Sequence, residues 1–183
     1  DPVMRAHFED LLNRLQAAGH SVQRIPAMPD FAAIVERHNR IVAAEAARTH
    51  ADWYAAHPTG YHTKTEELIE RGQAVSDEQL ADDREGRKAL REHLTALMDD
   101  AGIDLWLSPS APGPAPKGLE STGDPVMNLP WTHSGLPTLG LPTGADPQGL
   151  PLGLQLTGRW QGDEILFKLA ALVASALKEP QAA

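Results

Sequence analysis

Apolar residues in the first hundred positions recur at helical spacing. Met4, Phe8, Leu11, Leu12 and Leu15 share one stripe and Gly19 follows as a stop, which predicts a first helix opened by the Asp1-Pro2 cap. Ser21 to Met28 reads as a short strand around Val22 and Ile25, closed by Pro26 and Pro29. Asp30 is placed to cap a long helix with Phe31, Ile34, Val35, Ile41 and Val42 facing inward, running to about Tyr54 before Pro58, Thr59 and Gly60 break it. Residues 61–72 predict another short helix ending near Gly72. Ser76 with Gln79 forms a capping box for a further helix, whose stripe of Leu80, Leu90, Leu94, Leu97, Met98 and Ala101 stops at Gly102.

The texture then changes. Ile103 to Leu107 reads as a strand ending at Ser108-Pro109, and Ala111 to Gly118 is loop by its prolines and glycines. Thr138 to Pro142 and Leu152 to Gly158 read as further strands. Asp163 is placed to cap a closing helix with Leu166, Leu169, Val173, Ala176 and Leu177 on its stripe. The expected organisation is one domain over 1–183: mainly helical over 1–102, strand- and loop-rich over 103–162, and a closing helix at 163–178. Helices alternating with short apolar strands define an α/β fold, a mixed central sheet flanked by helices.

Composition narrows the function. Hydrophobic content of 42% and charged content of 22% suit a soluble globular chain, and no apolar run approaches the roughly 20 residues of a membrane span. The net charge of −9 argues against a nucleic-acid partner. The densest basic group (Arg84, Arg87, Lys88, Arg91) is interleaved with Asp82, Asp83, Glu85 and Glu92, as on a solvated, ion-paired helix face. The absence of cysteine excludes disulfides, thiolate metal sites and a cysteine nucleophile, and fits a cytoplasmic location. The opening Asp1-Pro2-Val3-Met4-Arg5 is neither a signal nor a transit peptide and lacks an initiating Met, so the chain is expected to be a fragment.

Candidate chemistry is sparse. The glycines of 135–162 form no phosphate-binding loop, and no Gly-x-Ser-x-Gly elbow is present. His50, His57 and His62 lie near Asp52 and Glu66, but Pro58 and Gly60 interrupt any shared helical face, so no metal site or cofactor is expected. His38 sits on the apolar stripe of its helix and reads as a partly buried histidine. Asp124, His133 and Ser134 make a poor hydrolase triad, because adjacent residues cannot set a base facing its nucleophile with a third group behind. The segment Asn128 to Pro137 combines prolines, Trp131 and the short polar side chains of Asn128 and Thr132. That mixture suits a pocket rim, although residue chemistry alone favours a structural loop in which Trp131 closes the core.

Several pieces, in order, resemble the C-terminal part of the amidase-signature family. They are Asp104-Leu105-Trp106-Leu107-Ser108-Pro109-Ser110-Ala111-Pro112, then Asn128 to Pro137, then Leu141-Pro142-Thr143-Gly144, then Gly149-Leu150-Pro151-Leu152-Gly153-Leu154-Gln155-Leu156, then Asp163-Glu164-Ile165-Leu166. The resemblance is close over roughly the last seventy residues and only a matter of pattern before them. It implies hydrolysis or transfer of amide C–N bonds by a serine nucleophile, a bridging serine and a lysine base. The family's Gly-Gly-Ser-Ser core matches no position, and no catalytic residue is carried over. What carries over is the pocket: Asn128, Trp131 and Thr132 as substrate contacts, with Met127 beside them. The implied parent is an amidase acting on small carboxamides. The amidase-like component of a tRNA-dependent amidotransferase, or a non-catalytic binding domain, are the alternatives. The chain alone is expected to be inactive, and to self-associate or pair with the missing N-terminal half.

Overall fold

The computed structural model of the chain describes residues 1–178. They form two compact units, one of Asp1–Ala27 with the chain from Leu94 onward, the other of Met28–His93.

In the first unit, α1 (Pro2–Ala17) begins where the Asp1 carboxylate accepts from the amides of Val3 and Met4, satisfying two of the free N–H groups of a helix start. Met4, Leu11, Leu12 and Leu15 are its buried residues, as the stripe predicts. The segment 21–28, expected as a strand, has no regular structure. Val22 still packs against the core, but strand identity requires a hydrogen-bonded neighbour, and among the described residues none pairs with it. The strands present are β1 (Trp106–Pro109), β2 (Thr138–Ala145) and β3 (Pro151–Thr157), in the order β1-β3-β2 and antiparallel throughout. The chain closes with α7 (Asp163–Leu177), whose N-cap is Gly162 and not Asp163. Asp163 and Glu164 instead occupy the first turn, where the helix dipole favours negative charge.

Side-chain alternation gives the sheet two unlike faces. The register places Leu107, Leu156 and Leu139 abreast, with Leu154 opposite Leu141. These leucines join Leu11 and Leu15 of α1 and Leu166, Ala170 and Val173 of α7 in one core. The alternate positions read Ser108, Gln155 and Gly140 across the three strands, a polar and sterically flat face. The α/β class thus holds, with helices against the apolar face of a small antiparallel sheet.

The second unit is helical: α2 (Phe31–Thr49), α3 (Ala51–Ala56), a 3-10 turn at Pro58–Gly60, α4 (Thr63–Gln73), and the opening part of α5 (Asp77–Ala101). The long helix expected to reach Tyr54 is divided at His50, whose ring hydrogen-bonds Tyr61 Oη at 2.8 Å. Val42, expected inside, is 41% exposed; the buried positions of α2 are Ile34, Ile41, Ala43, Ala44 and Ala47. The small side chains have a purpose, because α4 crosses them at Gly72, where a Cβ would lie 1.9 Å from the Ala43 carbonyl oxygen. The Ser76 hydroxyl accepts from the Gln79 amide at 3.1 Å, the cap that starts α5. Asp83, nearly buried on that helix, takes two bonds from the Arg40 guanidinium at 2.9 and 2.7 Å, which hold the Arg40 pKa above its ordinary value.

Candidate pocket wall

The segment 124–135 lies in the first unit and is shaped by local bonds. The Asp124 carboxylate accepts from the Val126 amide at 2.9 Å and opens a 3-10 turn, Pro125–Met127. The turn passes directly into α6 (Leu129–Ser134), a helix where loop was expected. Sequence periodicity could not reveal six residues, less than two turns, headed by Pro130. Gly135, with φ at 73°, ends it, and its left-handed backbone is what the position needs. The Trp131 carbonyl accepts from the amides of Gly135 and Leu136 and from the Ser134 hydroxyl, so the C-terminal end of α6 is firmly closed.

This framework distributes the four expected contact residues unequally. Asn128 heads α6 and Thr132 follows one turn later, its amide bonded to the Asn128 carbonyl at 3.0 Å; both side chains lie on the exposed face. Met127 is half-buried and lines a cleft of about 270 Å³ with Met4, Phe8, Pro109 and Pro112. Trp131 is 6% exposed, its ring inside the unit, and its indole N–H has no acceptor among the described residues. The Met127 carbonyl accepts from Gln155 Nε2 at 3.1 Å, and the same nitrogen reaches Ser108 Oγ at 3.3 Å. Sequence reasoning passed over Gln155. Its signal is a long polar side chain between Leu154 and Leu156 on a strand that is otherwise apolar or small, and Gln155 is 5% exposed.

No hydrolytic constellation forms among the described residues. Ser134 and His133 are buried neighbours on α6, Asp124 is exposed, and the Ser134 hydroxyl is engaged by the Trp131 carbonyl. All five lysines are exposed. In the second unit His50 makes edge contacts with Trp53 and Tyr61, and Tyr54 donates to Glu66 at 3.2 Å. Partial burial, then that bond, pushes the Tyr54 phenol above its ordinary pKa. Among the described residues no three His, Asp or Glu side chains converge as metal ligands, and no helix is long and apolar enough to cross a membrane. The basic run on α5 is ion-paired, Arg84 to Glu45 and Lys88 to Glu85.

The sheet thus presents leucines on one side and a polar, glycine-bearing surface on the other, with the Pro125–Met127 turn tied to the latter through Gln155. The Amidase family profile matches residues 1–167, and the chain belongs to that family, the amidase-signature enzymes. It is similar to a crystal structure of an amidase, at 30% identity and a TM-score of 0.84, over 95% of this chain and 42% of that one. The fold alone is shared with fatty acid amide hydrolase, at 18% identity and a TM-score of 0.82, over 97% of this chain and 37% of the other. In sequence it is similar to the first of the glutamyl-tRNA(Gln) amidotransferase subunits (the one lettered A) of Picosynechococcus sp., 37% identical over 92 residues, which are 44% of this chain and 19% of that protein. Its counterpart in Trichormus variabilis is 43% identical over 75 residues, 37% of this chain and 15% of the relative. The chain therefore spans well under half the length of the relatives it matches.

Proposed function

We propose that the chain is the C-terminal portion of an enzyme that hydrolyses carboxamide C–N bonds, supplying scaffold and one wall of the substrate pocket. The observation that carries this reading is the segment 127–132, held over the polar face of the sheet with Asn128 and Thr132 turned outward and Met127 at a cleft. In the proposal Asn128, Thr132 and Met127 touch substrate directly, and the buried Trp131 ring backs them. The acyl-enzyme chemistry of serine, bridging serine and lysine belongs to residues outside this sequence, and the chain alone is inactive. Residues 1–183 act as a single C-terminal domain, in the cytoplasm.

A partner belongs to the same proposal. The outer edge of β1 has no strand beside it among the described residues, and next to it a cavity of about 550 Å³ is lined by Phe8, Leu12, Val22, Leu105, Leu107 and Leu172. An open strand edge with an apolar hollow is a surface that the missing N-terminal half would cover, and without it the chain should associate with itself. The glutamyl-tRNA(Gln) amidotransferase relatives support a second reading, in which the parent transfers ammonia to a mischarged tRNA.

The test is ammonia release from aliphatic and aromatic carboxamides by the full-length gene product and by the chain alone. Hydrolysis only by the full-length protein is the expected result, with Asn128→Ala and Thr132→Ala raising KM. Glutamine-dependent amidation of mischarged tRNA with no carboxamide hydrolysis would favour the second reading. Hydrolysis by the isolated chain would overturn the assignment of the chemistry to the missing half.

A further inference from the structure

A buried glutamine on a strand between two leucines is costly unless its amide is satisfied, and Gln155 satisfies it in a particular direction. Its Nε2 donates to the Met127 carbonyl at 3.1 Å and to Ser108 Oγ at 3.3 Å. The Met127 carbonyl can only accept, so the nitrogen, and not the oxygen, must face the turn. Ser108 is the register partner of Gln155 on β1, so the bond rests on two paired strands. The Asp124 bond to Val126 is internal to the 3-10 turn, whereas the Gln155 bond joins that turn to the sheet.

We infer that Gln155 is a positioning residue: it fixes the height of the 125–128 turn above the sheet and thereby sets how much acyl group the pocket wall admits. The two roles meet at Met127, whose carbonyl is held by Gln155 while the residue itself borders the cleft. Releasing the carbonyl frees the turn to ride up or down without unfolding β3, because the backbone ladder of β3 to β1 and β2 does not use the Gln155 side chain. The specificity half of the inference rests on the amidase reading; the positioning half does not.

Two measurements separate those halves. The first is amide hydrogen exchange in the chain itself, for wild type and for Gln155→Met, which keeps length and loses the donor. The Asn128 amide, bonded to the Pro125 carbonyl at 2.9 Å, should exchange about tenfold faster in the variant, with Leu154 and Leu156 unchanged. Unchanged exchange at Asn128, or an equal rise throughout β3, would overturn the positioning role. The second is the KM and kcat of the full-length enzyme on amides of increasing acyl length. Gln155→Met should change the ratio of KM values for long and short acyl groups at least about fivefold with kcat within about twofold, while Ser108→Ala, which removes the weaker bond, should shift it less. A ratio that does not move would overturn the specificity role. A wild-type full-length protein with no carboxamide hydrolysis would instead sink the amidase reading and leave the exchange result to judge Gln155.

Discussion

Replacing Gly72 by alanine sets two opposed effects against each other, and the geometry decides between them. In an open helix the change would stabilise by about 1 kcal/mol, since glycine costs the unfolded chain more entropy on folding. At Gly72 the new methyl would lie 1.9 Å from the Ala43 carbonyl oxygen, 2.4 Å from its carbon and 2.8 Å from Ala47 Cβ. The obstacle is helix backbone, so no side chain can swing aside, and α2 and α4 must part by roughly 1 Å in an interior packed to near-crystalline density. Overpacking of that kind costs about 1–3 kcal/mol or more, and here the α2–α4 contact of Gly72 with Ala43 and Ala47 loosens with it. The expected net loss is about 2–3 kcal/mol. Gly86 provides the control: there a Cβ would meet Cδ and Nε of the Arg37 side chain at 2.8 and 2.9 Å, which can rotate away. Gly86→Ala should stay within about 1 kcal/mol of wild type. Urea unfolding followed by far-UV circular dichroism reads both: with a slope of about 1–3 kcal/mol per molar urea, Gly72→Ala should lower the midpoint by roughly 1 M or more. A Gly72→Ala midpoint at or above wild type, or an equal loss for Gly86→Ala, would refute the reasoning.

Three further outcomes follow from the same structure. Arg40→Ala leaves the nearly buried Asp83 carboxylate without its two bonds and should destabilise by about 3 kcal/mol, with Arg40→Lys falling between that variant and wild type in the same urea titration. His38 has a pKa lowered from 6.5, first by burial and then by the Arg87 charge, so the unfolded chain binds the proton more readily. Its contribution is complete above 6.5 and is lost as pH falls below that value; wild-type Tm should therefore drop more between about pH 7.5 and 5.5 than the Tm of His38→Gln, and equal drops would contradict the burial of this ring. Leu156→Ala, at a fully buried position facing α1 and α7, should cost about 2–5 kcal/mol by chemical denaturation, whereas Leu119→Ala, fully exposed, should cost nothing measurable.

What the sequence made legible was whatever depends on local period or local caps. Met4, Leu11, Leu12 and Leu15 mark α1 because helical spacing and burial coincide there, and the Ser76–Gln79 pair marks the start of α5 because one hydrogen bond makes it. Ser21 to Met28 carries Val22 and Ile25 between turn-forming residues, as a short strand would, but that composition does not supply a neighbour to pair with. On α2 the apolar pattern favoured Val42 over Ala43 and Ala47, because hydrophobicity counts the larger side chain while the close approach of Gly72 selects the smaller ones. The wall of the proposed site was found as a stretch of sequence through Asn128, Trp131 and Thr132, yet not as a helix, and its tether was missed. Gln155 acts across 28 positions of chain, on a carbonyl, and no pattern within β3 announces a bond to another segment's backbone.

The order β1-β3-β2 places the last strand to be synthesised at the centre of the sheet. Leu107 cannot find Leu156, and α1 cannot meet Leu154 and Leu166, until residues 152–166 have been made. Of these residues, α1 leaves the ribosome before the strands that cover it and waits with its apolar stripe uncovered, while residues 28–93, a compact unit of one continuous stretch, could already be folded. A nascent chain stalled between His93 and Leu152 would carry a complete helical unit and an unclosed remainder, a natural target for chaperones that bind exposed leucines.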